Sequence, residues 1–332
     1  MNLRSLSTSL VVLAALWAGC GCGTATSPGA SGGTASSGPG KKIKIGVSVP
    51  SADHGWTAGV GYWAEKAMAM YPDVEWVYKT ADKPETQIAD IETMMTGELD
   101  GLVVLATESA PLTPVAKTAH ERGIYIVNVD RGFLEPVADV FIEGDNEAFG
   151  RKSAEFMVQR LGGKGRILVL EGIPSTVNTD RVNGANKVFQ ANPGISVLES
   201  QSGMWNRQKA LEVTQAMLLK HPQVDAVWAS DDDMALGVEQ ALKEAGRTNV
   251  WILGGAGMKD IVKRVMDNDA TFPANITYPP SMIATGIHMA VANLRDGKRD
   301  EIKQFMPRHM KLDVELITPD NAKDFYFPDS IY

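Results

Sequence analysis

The chain has 332 residues, 44% of them hydrophobic and 22% charged, the composition of an ordinary globular protein long enough for two domains. Its formal net charge is −8, and Arg4 is the only charged side chain before Lys41. So acidic a body has no bulk attraction for nucleic acid or anionic lipid. The cysteines are Cys20 and Cys22; beyond them no disulfide, thiolate metal site or cysteine nucleophile can form.

The N-terminus begins with a stretch carrying Arg4, continues through the apolar run 10–18, and ends in the small residues Ala18 and Gly19. That order describes a secretory signal peptide over 1–19, with an apolar run too short to stay in a bilayer as a spanning helix. The ending Ala18-Gly19-Cys20 resembles a bacterial lipobox. The resemblance implies export, lipidation of Cys20, and a location in the periplasm or on the outer face of the cell membrane. The alternative is a plain signal-peptidase cut that leaves both cysteines as bystanders. Residues 21–40 include 14 Gly, Ser or Thr and carry no charge and no aromatic ring. They cannot bury a core, so 20–40 reads as a flexible tether with a mean reach of roughly 25 Å.

From residue 41 onward strands and helices alternate. Residues 42–50 read as a strand stopped by Pro50, 57–71 as a helix, 74–80 as a strand, and 84–97 as a helix with Pro84 suited to its first turn. Residues 102–106 form a continuous apolar run, the mark of a strand buried on both faces. A helix over 111–122 and a buried strand over 124–129 follow, with further strands expected near 138–143, 166–171, 195–200, 225–229 and 250–254. This rhythm predicts an α/β protein with parallel sheets, right-handed crossovers and helices on both faces. One eight-stranded barrel with extra elements would fit the count. Two doubly wound sheets fit better, because the chain makes two similar passes that each place polar residues just after strand ends. Ligands of open α/β sheets bind outside the carboxyl ends of the strands.

Those turns contain Asp53, His54 and Trp56 after the first strand, Asp130-Arg131 after the strand ending at Val129, and Asp180-Arg181 near a helix start. Trp205 lies in a later turn, Asp231-Asp232-Asp233 follows the strand ending in Trp228, and Tyr278 follows Ile276. Aspartate and arginine offer paired acceptors and donors that match adjacent sugar hydroxyls, and flat aromatic faces cover a sugar's C–H face. Each feature also has a plainer reading: tryptophan at a loop tip as packing, Asp-Arg as a structural ion pair, Asp233 as a helix N-cap. Their common placement at strand ends favours a neutral polyhydroxylated ligand.

Enzymatic readings find little support. His54 is the only histidine in these turns, and no His-X-X-His or His-Glu-X-X-His pattern occurs, so a zinc site lacks ligands. Three consecutive aspartates point in different directions and make a poor cation site. The glycines at 254, 255 and 257 lead to Asp260 where a dinucleotide motif needs glycine, and the glycines around Lys164 lack the rest of a P-loop. No cofactor and no metal is expected. A glycosidase using Asp130 and Asp231 across a cleft stays open as the enzymatic rival.

The same residues carry a family likeness. From about residue 42 to 316 the chain resembles the type I periplasmic sugar-binding proteins of ABC transporters, especially the ribose-binding group. The most specific segment starts at Ser230 and reads Ser-Asp-Asp-Asp-Met-Ala-Leu-Gly; the 127–131 segment ends in the family's Asp-Arg pair, and 141–146 matches its first hinge crossing. The resemblance implies ligand contacts from Asp53, His54, Trp56, Asp130, Arg131, Arg181, Trp205, Asp231 and Tyr278, the last replacing a frequent amide. Where ribose-type members carry an aromatic-Asp pair, this chain has Gly255-Ala256, which implies a different ligand: a pentose, a hexose, a deoxy sugar or a sugar alcohol.

The implied architecture is two lobes joined by three crossings, the first from 41–143 and 280–307, the second from 144–279 and 308–332. The implied partners are a small neutral carbohydrate and an ABC transporter permease, with the protein a monomer and chemotactic signalling a possible added role. A transcription regulator of the same fold needs an N-terminal helix-turn-helix, and this chain has a signal peptide and tether there.

Overall fold

A computed structural model describes residues 42–295, 301 and 303–332. The signal peptide, Cys20 and the tether lie outside the described residues.

The first sheet holds six strands in the order β11-β5-β4-β3-β1-β2, all paired in parallel. Its strands are β1 (Lys44–Pro50), β2 (Glu75–Ala81), β3 (Gly101–Val104), β4 (Tyr125–Val129), β5 (Val140–Gly144) and β11 (His309–Leu312). Helices α1 (Gly55–Ala69), α2 (Pro84–Met95) and α3 (Ser109–Glu121) make the crossovers, and α9 (Met282–Leu294) returns late in the chain to pack on β3, β4 and α1. Strands β3 and β4 are buried along their whole length, as continuous apolar runs covered on both faces must be.

The second sheet is also parallel, in the order β7-β6-β8-β9, from β6 (Gly165–Glu171), β7 (Ile195–Ser202), β8 (Ala226–Ala229) and β9 (Trp251–Leu253). Helices α4 (Asn146–Arg160), α5 (Thr176–Ala191), α6 (Arg207–Lys220), α7 (Asp232–Glu244) and α8 (Lys259–Met266) complete this lobe. The fold is therefore two open doubly wound sheets, not a barrel.

The chain passes between the lobes three times: after β5, between β10 (Asn275–Ile276) and α9, and between β11 and β12 (Leu316–Ile317). Backbone bonds tie the crossings together, Asp145 N to Leu312 O at 2.8 Å and Thr277 N to Glu315 O at 2.9 Å. The first sheet departs from the expected lobe division in one place. Residues 309–312, assigned from sequence to the second lobe, pair with β5 as the edge strand of the first sheet. The exposed, charged pattern of His309-Met310-Lys311-Leu312 concealed a strand, because an edge strand has only one sheet neighbour and one face to bury.

Candidate functional site

The carboxyl ends of both sheets face one cavity, lined by His54, Trp56, Asp130, Arg131, Val177, Arg181, Trp205, Asp231, Ala256 and Tyr278. Eight of the nine sequence-predicted site residues meet there. Asp53 does not: it sits in a wider bay outside, with its Oδ1 2.6 Å from His54 Nδ1 and 2.9 Å from Thr57 Oγ. Burial pushes the Asp53 carboxyl up, but the histidine's hydrogen bond and charge, with Thr57, outweigh it and hold the carboxyl below its ordinary value. Asp53 thus orients His54, which lines the cavity.

The first lobe contributes Asp130 and Arg131 from the turn after β4. Asp130 has φ of 64°, a left-handed conformation uncommon for a residue with a side chain and a frequent companion of binding sites. Trp205 and Ala256 share this feature with φ of 54° and 109°, so three of the cavity's walls rest on strained backbone. Arg131 Nη1 donates to the carbonyls of Ala106 and Thr107 at 3.1 and 3.0 Å, and its Nε lies 3.8 Å from Asp130 Oδ2. Burial lowers the Arg131 pKa against the opposing charge of Asp130. An arginine nevertheless keeps its proton in a protein.

The second lobe supplies Arg181 and Asp231. Arg181 lies well inside α5 rather than at its start. Its Nε donates to Asn146 Oδ1 at 2.9 Å and its Nη1 to Ser230 O at 2.7 Å. The guanidinium lies 3.9 Å from the centroid of Phe149 and 4.3 Å from that of Tyr278, two rings set edge to face. In both arginines the bonds to fixed acceptors leave Nη2 unengaged among the described residues.

The three aspartates divide three tasks. Asp231, not Asp233, is the N-cap of α7, its Oδ1 accepting from Met234 N at 2.7 Å. The cap position comes two residues before the expected one because α7 already includes Asp232 and Asp233. Burial pushes the Asp231 carboxyl up to about 6, against the pull of His54 and Arg181. Asp232 is fully buried and accepts from Gly255 N, Met258 N and Asn275 Nδ2 at 2.7–2.8 Å, fixing the turn that carries Ala256. Asp233 leaves the second lobe and accepts from Gly55 N of the first at 2.9 Å.

Tyr278 stands at the middle crossing and joins the lobes chemically. Its hydroxyl donates to Asp130 Oδ1 at 2.6 Å and accepts from Asn146 Nδ2 at 3.0 Å. Gly144 makes room for the ring: a Cβ there would lie 2.1 Å from Tyr278 Cε2. Trp56 Nε1 donates to Tyr278 O at 2.9 Å, so that indole offers the cavity only its ring. Sequence reasoning missed Asn146 and Phe149. Asn146 lay within the 141–146 crossing, so its position was visible while its two partners, distant in the chain, were not.

The cavity therefore presents two arginines against two aspartates, with aromatic and aliphatic faces between them. The charges balance within the walls, and a ligand that adds none of its own preserves that balance. Among the described residues no cluster of three His, Cys, Asp or Glu side chains could hold a metal ion.

Residues 45–299 match the family model of the periplasmic binding protein domain. The D-allose-binding periplasmic protein of Escherichia coli (strain K12) is 30% identical over 258 residues, 74% of this chain and 77% of the relative. The xylitol-binding protein of Mycolicibacterium smegmatis is 32% identical over 200 residues, 59% of this chain and 57% of the relative. Among solved structures, an ABC transporter solute-binding protein from Mycobacterium smegmatis with bound glycerol is 26% identical with a TM-score of 0.78, over 87% of this chain and 98% of that one. The chain belongs to the periplasmic binding protein family, as a type I sugar-binding member: an extracytoplasmic solute-binding protein and not an enzyme.

Proposed function

We propose that this protein captures one small uncharged sugar or sugar alcohol in the cavity and delivers it to the permease of an ABC transporter, changing none of its bonds. The observation that carries the reading is the paired arginines and aspartates, each anchored to its own lobe and each with atoms left for a ligand. Adjacent hydroxyls both donate and accept, so they can bridge such pairs from the two sides. The D-allose-binding and xylitol-binding relatives carry names of the same chemical class.

In this reading His54, Trp56, Asp130, Arg131, Arg181, Trp205, Asp231 and Tyr278 contact the ligand and Asp53 supports His54. Closure follows from the division of contacts, because a ligand shifts the open–closed balance only by binding one form better. The protein works as a monomer, held to the outer face of the membrane by a lipid on Cys20. The experiment is a thermal-shift screen of the intact chain against D-allose, D-ribose, xylitol, myo-inositol and glycerol. A ligand in large excess over its Kd should raise Tm, by about 2.7 kcal/mol of added stability at 100 times Kd. The ligand should be recovered chemically unchanged; turnover, or no shift with any neutral polyol, overturns the proposal. Mass spectrometry of the membrane-extracted protein tests the anchor, which an unmodified Cys20 would rule out.

A further inference from the structure

Helix α1 carries no acidic residue in its first turn, although the positive end of a helix favours a carboxylate there. Beside Asp53, which precedes the helix, a second carboxylate reaches this turn from the other lobe. Asp233, on α7, accepts from Gly55 N at 2.9 Å with Oδ2 and from Arg207 Nη2 at 3.1 Å with Oδ1. Gly55 lies between His54 and Trp56, two walls of the cavity. Anchoring its N–H therefore sets where both side chains stand.

A second contact converges on the same turn. Tyr332 is 6% exposed, and its ring lies so close to α1 that a Cβ at Gly55 would stand 2.9 Å from Tyr332 Cδ2. Its segment is tied to the second lobe, since Lys259 Nζ at the start of α8 donates to Ser330 O at 2.6 Å and Tyr332 N donates to Ser330 Oγ at 3.2 Å. Among the described residues the buried Tyr332 hydroxyl has no hydrogen-bond partner. The contact with α1 is made by the ring, so its shape presses on the turn.

We propose that Asp233 and Tyr332 are positioning residues for ligand binding. Neither lines the cavity; both hold the N-terminus of α1 against the second lobe, so that His54 and Trp56 face the ligand only when the lobes meet. The proposal rests on the sugar-binding reading for its ligand, and on the lobe contact alone for its mechanism.

The test uses the intact chain with Asp233→Ala, Tyr332→Ala and Tyr332→Phe. Titration with D-allose, xylitol and glycerol gives Kd, stopped-flow tryptophan fluorescence gives the dissociation rate, and ligand-free Tm reports the fold. Asp233→Ala should weaken binding on the order of 10-fold, as expected for loss of a charged hydrogen bond, chiefly through faster dissociation. Tyr332→Ala should weaken it several-fold and Tyr332→Phe should restore wild-type affinity. Hydrogen exchange over 53–60 should speed up in both alanine variants while 101–105 keeps its protection. Alanine variants with lower Tm but wild-type Kd in the folded fraction, or with unchanged exchange over 53–60, would overturn the proposal. If the wild type binds none of the three probes, the sugar reading fails, and the exchange comparison still decides the lobe contact.

Discussion

The two jaws of the cavity present the same pair of charges but assemble them differently. In the first lobe Asp130 and Arg131 are neighbours in sequence, set on one strained turn, with the guanidinium pinned by two carbonyls of the adjacent β3–α3 turn. In the second lobe Arg181 and Asp231 stand 50 positions apart, one inside a helix and one at a helix cap, and meet where Arg181 Nη1 bonds the carbonyl of Ser230, the residue before Asp231. A compact motif concentrates its strain in one turn. A dispersed pair depends on packing, here the Phe149 and Tyr278 rings that enclose Arg181. The second jaw should therefore be the more fragile one.

That difference can be broken experimentally. The largest effect is expected from Arg181→Ala, which removes two charged hydrogen bonds and a cation in contact with two rings. We expect a loss of about 3–5 kcal/mol divided between stability and affinity, read by Tm and calorimetric Kd together. Arg181→Lys should not rescue it, because an ammonium cannot reach Asn146 and Ser230 in the same planar fork. Arg131→Ala should cost about 1.5–3 kcal/mol, and mainly in affinity, since its anchors are backbone carbonyls beside the cavity mouth. Equal losses of Tm in the two arginine variants would erase the contrast.

Tyr278→Phe probes the joint between the jaws. It strips Asp130 of a 2.6 Å donor and Asn146 of one of its two acceptors, at about 1–3 kcal/mol, and leaves an Asp130 oxygen free for the ligand. A ligand with one more hydroxyl should then gain relative to the wild-type ligand, as measured by the ratio of Kd values. The last effect, read as a pH dependence, concerns Asp231. Its carboxyl titrates near 6 in the native protein and near 3.8 when unfolded, so the native state holds an extra proton between these values. The stability this provides is greatest in acid and is lost as pH rises through about 6. Asp231→Asn should flatten Tm against pH across that window; an unchanged slope would mean the carboxyl is not the titrating group.

Legibility in the sequence followed distance along the chain. The buried strands were plain as apolar runs, and Asp130-Arg131 was plain because its members are adjacent. The edge strand at 309–312 was hidden by its exposed, charged residues, and the N-cap of α7 was displaced because any of three aspartates could serve. Asn146 and Phe149 gave no chemical signal, since their importance comes from Arg181, which reaches them from another helix.

The order of strands and helices, the parallel character of the sheets and the residue types at the strand ends were determined by the sequence alone. Burial on both faces and the crossover rule leave a repeating βα pattern few other arrangements. Which side chains keep atoms free for a ligand was decided only by the tertiary structure. Trp56 lost its N–H to Tyr278, Asp130 shared an oxygen with the same residue, and Asp233 was drawn across to Gly55. Such bonds join positions from 148 to 222 residues apart, and no local propensity specifies them.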